Sequence, residues 1–430
     1  EECKKRATKL TVCTEHLENV KCYKPLNSDM RQLTRWIFHK KFILALFLIT
    51  ALVASTQSLF LGQKKYIAGG IEYNTYNNYT IFKRSFYHLA NNEDLYFPYP
   101  LEHWDLYKYS PTFAFLFGGF ALLPDMMGLP LWNILNALVI VLAVYYLPKL
   151  TNPQKALILL CCVVESMTAI QNEQSNGLVA GLLILAFGLC ERKYFLLGAL
   201  CIVLTVYIKI FGLIGFIWFL FYPDRWKFVL YGAMWLILLF FLPLLVIDFY
   251  QLKFLYKSWG LLLSQDHSLS QGLSVIGWLQ SWFKIDPNKT VVAITGAILF
   301  LIPFLKWKLY RVYAFRLLSL ASILIWIVIF NHKAESPTFI IAMAGASLWY
   351  FMQKRNWPDT VLFISALILT TLSPTDIFPF SFRREIIEPF VLKAVPCIFI
   401  WGRITYEMVT YSKMVRQENL FLPNKPLIQT

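Results

Sequence analysis

The sequence predicts an all-α integral membrane protein, a polytopic bundle of about twelve transmembrane helices with one large loop near its start. Three observations predict it. The 430-residue chain is 57% hydrophobic and only 15% charged, whereas soluble domains carry about 25% charged residues. Apolar runs recur along it at close to the roughly 20 helical residues that cross a hydrocarbon core about 30 Å thick. The Lys and Arg residues behind the net charge of +15 sit mainly in the short gaps between those runs, where the positive-inside rule puts them. With no polar domain to carry a basic face, nucleic acid is excluded as a partner.

Residues 1–40 form a polar N-terminal extension. Residues 1–30 are Lys-rich and aperiodic, with no apolar core of the kind a signal peptide has. They are expected to be disordered or to precede a true start at Met30. The first span is expected over about 41–57, preceded by Arg31, Arg35, Lys40 and Lys41. These cations place the N-terminus in the cytoplasm and the following loop, 58–129, outside.

That loop gathers Glu72, Glu93, Asp94, Glu102, Asp105, His88, His103 and many tyrosines. Its end, 111–123, is apolar but short, broken at Gly118–Gly119 and closed by Pro124. It reads as an interfacial or re-entrant helix rather than a crossing. Further spans are expected at about 130–147, 155–170, 175–190, 194–208, 210–222, 226–248, 290–306, 311–330, 337–352, 358–372 and 388–406. Residues 194–222 could equally form one long broken helix. Lys149, Lys155, Arg192, Lys193, Arg225, Lys227, Lys306, Lys308, Arg311, Lys354 and Arg355 then fall in inner loops, with Lys413 and Arg416 in a cytoplasmic tail, 407–430. Residues 41–406 are expected to make one transmembrane domain of a multi-pass protein, with its polar site outside.

The polar residues are expected to gather at that outer face: residues 171–176, Lys209, the SQDHS loop at 264–268, the NHKAES turn at 331–336, and Asp376, Arg383 and Arg384. The eight cysteines show neither CxxC spacing nor a disulfide framework. No metal-ligand spacing, Asp-x-Asp or Gly-rich phosphate loop is present, so no cofactor or metal is expected.

The order of NNYTIF (77–82), DLY (94–96), YSPTFAFLF (109–117), LLP (122–124), LWNILN (131–136), QNEQSNGLVAGLL (171–183) and NHKAESPTFIIA (331–342) resembles that of the GT-C membrane glycosyltransferases, and of glycosyltransferase family 87 in particular. The resemblance runs over roughly 40–405. It implies a GT-C-like bundle, a polyprenyl-phosphate sugar donor, a lipid or glycan acceptor hydroxyl, and inverting transfer at the extracytoplasmic face beside membrane lipids.

The family's catalytic Asp falls here on Asn78, and an amide has no basic lone pair near neutral pH. The base is therefore expected at Asp105, just before the interfacial helix, or at Glu72, the nearest acidic position to Asn78. Asn78 itself becomes a sugar-binding amide. Lys209 interrupts an apolar stretch, TVYIKIFGL, and an ionisable residue at membrane depth is a functional hypothesis by default; it is expected to bind the donor phosphate with His332, and nearby Glu335 to bind substrate. Gln174 and Asn176 are expected to hydrogen-bond sugar hydroxyls or cap their helix, and His103 to touch substrate. Glu165 reads as buried structure or cavity lining, and the Asp266–His267 pair as a weaker candidate. The rival readings are a transporter, which repeat symmetry would favour, and a non-catalytic lipid-glycan binding member of the family.

Overall fold

The computed structural model describes residues 37–60, 66–68, 71–265 and 272–421. The N-terminal extension with Cys3, Cys13, Cys22, Arg31 and Arg35, the Asp266–His267 pair, and the side chains of Lys413 and Arg416 lie outside what is described. The fold is helical apart from one hairpin, β1 (Tyr66–Ala68) and β2 (Ile71–Tyr73), paired antiparallel with Ile67 opposite Glu72.

The helices follow in order: α1 (Lys40–Phe60), α2 (Asn77–Ala90), α3 (Pro111–Ala121), α4 (Asp125–Tyr146), α5 (Asn152–Gln171), α6 (Asn176–Glu191) and α7 (Phe195–Ile208). A 3-10 segment, Ile210–Phe221, leads to α8 (Arg225–Phe241), α9 (Phe249–Gln265), α10 (Val275–Phe283), α11 (Lys289–Leu301), α12 (Tyr313–Ile329), α13 (Phe339–Phe351), α14 (Trp357–Ser365) and the last helix, α15 (Val395–Phe421). Among the described residues, four helical stretches are long and apolar enough to cross a bilayer: Lys40–Phe60, Asp125–Tyr146, Asn152–Gln171 and Arg225–Leu245. The other apolar helices are shorter.

Small residues set the closest helix contact. A Cβ at Gly177 would stand 2.7 Å from the Asn136 carbonyl oxygen, and one at Gly181 2.7 Å from the Ile140 nitrogen. Glycines four apart on α6 thus let its backbone press on α4, as small-xxx-small faces do where dispersion rather than hydrophobicity drives helix packing. Asn136 Oδ1 accepts the Leu178 N–H at 3.0 Å, which fixes the start of α6 against α4.

The short α3 has a different basis. Ser110 caps it, accepting the Phe113 N–H at 3.1 Å, and Pro111 opens it. Its Phe117 ring lies 5.1 Å from Trp132 and 5.4 Å from Phe82. The helix is seated on α2 and α4 by aromatic contacts, and Thr112 Oγ1 donates to the Leu239 carbonyl at 2.7 Å.

The bundle has two chemically distinct ends. At one, Lys155 Nζ donates to the Tyr145 carbonyl, Gln154 to Phe351 and Tyr313 to Pro148, and Lys40 lies over Tyr145. At the other, Ser58 meets Glu173, Gln57 meets Gln171, and Lys209 meets Asn176.

Ion pairs buried among the helices were not foreseen from sequence. Lys393 Nζ is 2.7 Å from Glu165 Oε1, both fully enclosed, so Glu165 is a structural partner. Arg316 grips both oxygens of Glu191 at 2.6 and 2.7 Å. Arg355, Asp359, Arg403 and Glu407 form a network between α14, α15 and the end of α13. The last helix differs from the expected 388–406: it begins at Val395 and continues to Phe421, and Glu407, expected in a cytoplasmic tail, is buried in this network.

Candidate functional site

The site is built where α7 stops. Lys209 is extended (φ −142°, ψ 122°), and the chain turns back beside α7. The return needs Gly212, since a Cβ there would lie 1.8 Å from Thr205 Oγ1. Ser110 Oγ donates to the Tyr207 carbonyl at 2.6 Å, which ties the start of α3 to the same place. Tyr109 is thereby set with its ring centroid 6.0 Å from Lys209 Nζ.

The turn from α5 to α6 arrives from the other side. Glu173 adopts a left-handed φ of 48°, and the turn is packed in: Glu173, Ser175 and Asn176 are all buried. Lys209 Nζ donates to Asn176 Oδ1 at 2.6 Å. Asn176 Nδ2 donates to Gln174 Oε1 at 2.6 Å and to the Pro337 carbonyl at 3.0 Å. Gln174 Nε2 in turn donates to Glu335 Oε2 at 2.9 Å. One row of hydrogen bonds therefore joins Lys209, Asn176, Gln174 and Glu335 across three chain segments, the first two 33 residues apart and the third 161 residues from Gln174.

The electrostatics of this row are unbalanced. Among the described residues Lys209 makes no ion pair; its bonded partner is a neutral amide, and the Glu335 carboxylate only raises its pKa from a distance. Burial dominates and pushes the Lys209 pKa down to about 8. A desolvated ammonium without a counter-ion is a ready site for an anion. Two residues before Lys209 in sequence, Tyr207 lines a shallow apolar hollow with Leu236, Ile237, Phe240 and Phe241 of α8.

The remaining expected residues are placed as follows. Asn78 Nδ2 donates to the Asn172 carbonyl at 2.8 Å, so it braces the α5–α6 turn from its rim. Asp105 is half-exposed, with Lys108 Nζ at 2.9 and 3.0 Å from its two oxygens and the Leu106 N–H at 2.7 Å. His103 is buried, its Nδ1 2.7 Å from the Asp105 carbonyl oxygen. His88 stacks on Tyr99 at 3.8 Å and sits 3.0 Å from Glu102. Burial holds the pKa of both His88 and His103 below the usual histidine value. Glu72 is on the exposed side of β2, and the hydrogen bonds of the Lys209 row do not include it.

His332 shares a turn with Glu335, and its carbonyl packs against Gly272. Its Nε2 is buried without a hydrogen-bond partner. Burial, reinforced by Lys289, lowers its pKa, so at neutral pH it is an uncharged imidazole and not a second cation. Asp105, Lys108 and Lys333 are neighbours: burial and Lys108 lower the Lys333 pKa while Asp105 raises it.

Sequence reasoning did not single out Tyr109 or Glu173. The signals were present in YSP and in QNEQSN. A Tyr before a helix-capping Ser-Pro, and a carboxylate inside a run of amides, are common in solvated loops, and only burial distinguishes these two.

The chain matches the family model of glycosyltransferase family 87 over residues 107–330, just over half its length. The chain belongs to glycosyltransferase family 87. It is accordingly a membrane glycosyltransferase. The matched stretch of this family 87 protein runs from Tyr107 to Phe330 and includes Tyr109, Gln174, Asn176 and Lys209. Glu72, Asn78, Asp105, His332 and Glu335 stand outside it. The chain matches no curated protein. Among the described residues, no three His, Cys, Asp or Glu side chains are grouped as a metal would need.

Proposed function

We propose that this family 87 protein transfers a hexose, with mannose as the leading candidate, from a polyprenyl-phosphate donor to a hydroxyl of a lipid or glycan acceptor, with inversion at C1. The observation that carries the reading is the buried Lys209 ammonium bonded to a neutral amide. Such a cation is suited to a phosphate that arrives on the substrate and leaves with negative charge, the interaction that stabilises a departing phosphate in the transition state. The amide of Gln174 supplies donors and acceptors for sugar hydroxyls beside it, held in place by the buried Asn176. The hollow at Tyr207 offers an apolar path for a prenyl chain, two residues in sequence from the cation. Asp105, His103, Glu72 and Asn78 belong to the first loop, through which the acceptor would approach.

The site end is taken as extracytoplasmic because Lys40, Lys149, Lys155 and Arg192 belong to the opposite end and positive charge is retained inside; the plasma membrane is the compartment that the reading of a lipid-linked donor used outside the cytoplasm favours. The test is transfer by the purified protein in proteoliposomes, with radiolabelled polyprenyl-phosphate mannose as donor and a lipid extract as acceptor. Label moving into the acceptor fraction is the expected result. No transfer from any polyprenyl-phosphate hexose, with the sugar donor only bound or carried across, would overturn the reading in favour of a binding protein or a transporter.

A further inference from the structure

We propose that Glu335 is the general base of the transfer reaction; this rests on the glycosyltransferase reading above. The resemblance puts Asn78 where the family's carboxylate is expected, and its amide is spent on the Asn172 carbonyl. Three other carboxylates were open to the role on sequence or proximity, and the geometry separates them. Asp105 directs both oxygens at Lys108. Glu72 lies on the hairpin, outside the hydrogen-bonded row. Glu173 is 1% exposed and binds Ser58 at 2.8 Å, so no acceptor reaches it.

Glu335 differs on each count. It stands at the open end of the row that begins at Lys209, and its side chain is exposed. Gln174 holds one oxygen at 2.9 Å, and the side chain also caps the backbone N–H of Thr338. An ionised carboxylate has about four lone-pair sites, so acceptor capacity remains on an oriented group. The charges of Lys209 and Glu335 interact without pairing, with two amides in series between them. A donor whose phosphate sits at Lys209 and whose hydroxyls rest on Gln174 would present the face of C1 away from phosphate toward Glu335, which Gln174 holds.

The step balances. Glu335 takes the proton of the acceptor hydroxyl, and the acceptor oxygen forms a bond to C1. The bond from C1 to the phosphate oxygen breaks, and its electron pair leaves with polyprenyl phosphate. The proton on Glu335 passes to water before the next turnover.

The test uses the full-length protein in nanodiscs, farnesyl-phosphate mannose as donor, octyl α-mannoside as acceptor, and sodium azide as a nucleophile that carries no proton. Glu335→Gln should lower transfer to octyl mannoside by about 100-fold or more, the range of a lost general base. The donor KM should stay within about threefold, and added azide should restore turnover as mannosyl azide, which needs no base. Glu335→Asp keeps a carboxylate and should outperform Glu335→Gln. The proposal is overturned if Glu335→Gln keeps transfer within about threefold of wild type. It is also overturned if azide fails to rescue a variant that still binds donor, or if Glu335→Asp is no better than Glu335→Gln. A wild-type protein that transfers nothing is a different pattern and refutes the transferase reading itself.

Discussion

Lys209 Nζ lies 2.6 Å from Asn176 Oδ1, a buried cation resting on a neutral oxygen. The pairing joins the end of one helix to the start of another, and it leaves a positive charge that the protein does not cancel locally. Both the chemistry of the site and its pH dependence follow from that.

Replacing Lys209 by Met should raise the donor KM about 10- to 100-fold, the worth of one charge-assisted hydrogen bond. Since burial holds the Lys209 pKa at about 8, the ammonium is present below that pH and lost above it. Wild-type kcat/KM should therefore fall as pH rises through about 8. Lys209→Arg, whose guanidinium does not titrate there, should move the fall to higher pH, and a pH–rate profile of the two proteins checks it.

Asn176→Asp places a carboxylate on Lys209 and supplies the missing counter-ion. The expected effect is weaker donor binding, by about tenfold or more, together with a lower Tm, because the new carboxylate oxygen faces the Gln174 and Pro337 oxygens that Asn176 Nδ2 now bonds. Binding and thermal melts measured on one preparation separate the two effects.

Glu173 is a buried acid whose pKa desolvation raises to about 8, against the small opposing effect of Ser58. Its folded-state value lies above its unfolded value, so ionisation opposes folding, with a penalty that grows from about pH 4.5 to 8 and then levels. Glu173→Gln keeps a hydrogen-bonding side chain and removes that penalty. The variant's Tm relative to wild type should be higher at pH 8.5 than at pH 5.

At the opposite end, Glu407→Ala leaves Arg355 buried without its closest partner. Breaking a buried pair from one side costs about 3–5 kcal/mol. The double replacement Arg355→Met with Glu407→Met should cost less than the single one. Denaturation midpoints in detergent test this.

The helical membrane class was legible because hydropathy and cation placement need no tertiary information. The convergence of Lys209, Gln174, Asn176 and Glu335 was partly legible, since polar residues at one end of apolar helices have few places to go. The roles within the first loop were not. Whether Asp105 faces a cavity or a lysine depends on the turn that puts Lys108 against it, and whether His103 meets solvent depends on the fold of the loop around it. The ion pairs Glu165–Lys393 and Arg355–Glu407 join residues 228 and 52 positions apart, and nothing in a single sequence matches such partners. His332 carried the expectation of a phosphate contact, protonated or hydrogen-bonded; burial and Lys289 lower its pKa, which leaves the hydrogen-bonding form.

The most direct measurement is a structure of the protein in nanodiscs with a polyprenyl-phosphate sugar bound. The donor phosphate should lie against Lys209 Nζ, with the sugar over Gln174 and the prenyl chain leaving past Tyr207. Phosphate found at the opposite end, near Arg355 or Arg316, with the Lys209 row unchanged, would contradict the assignment of the site.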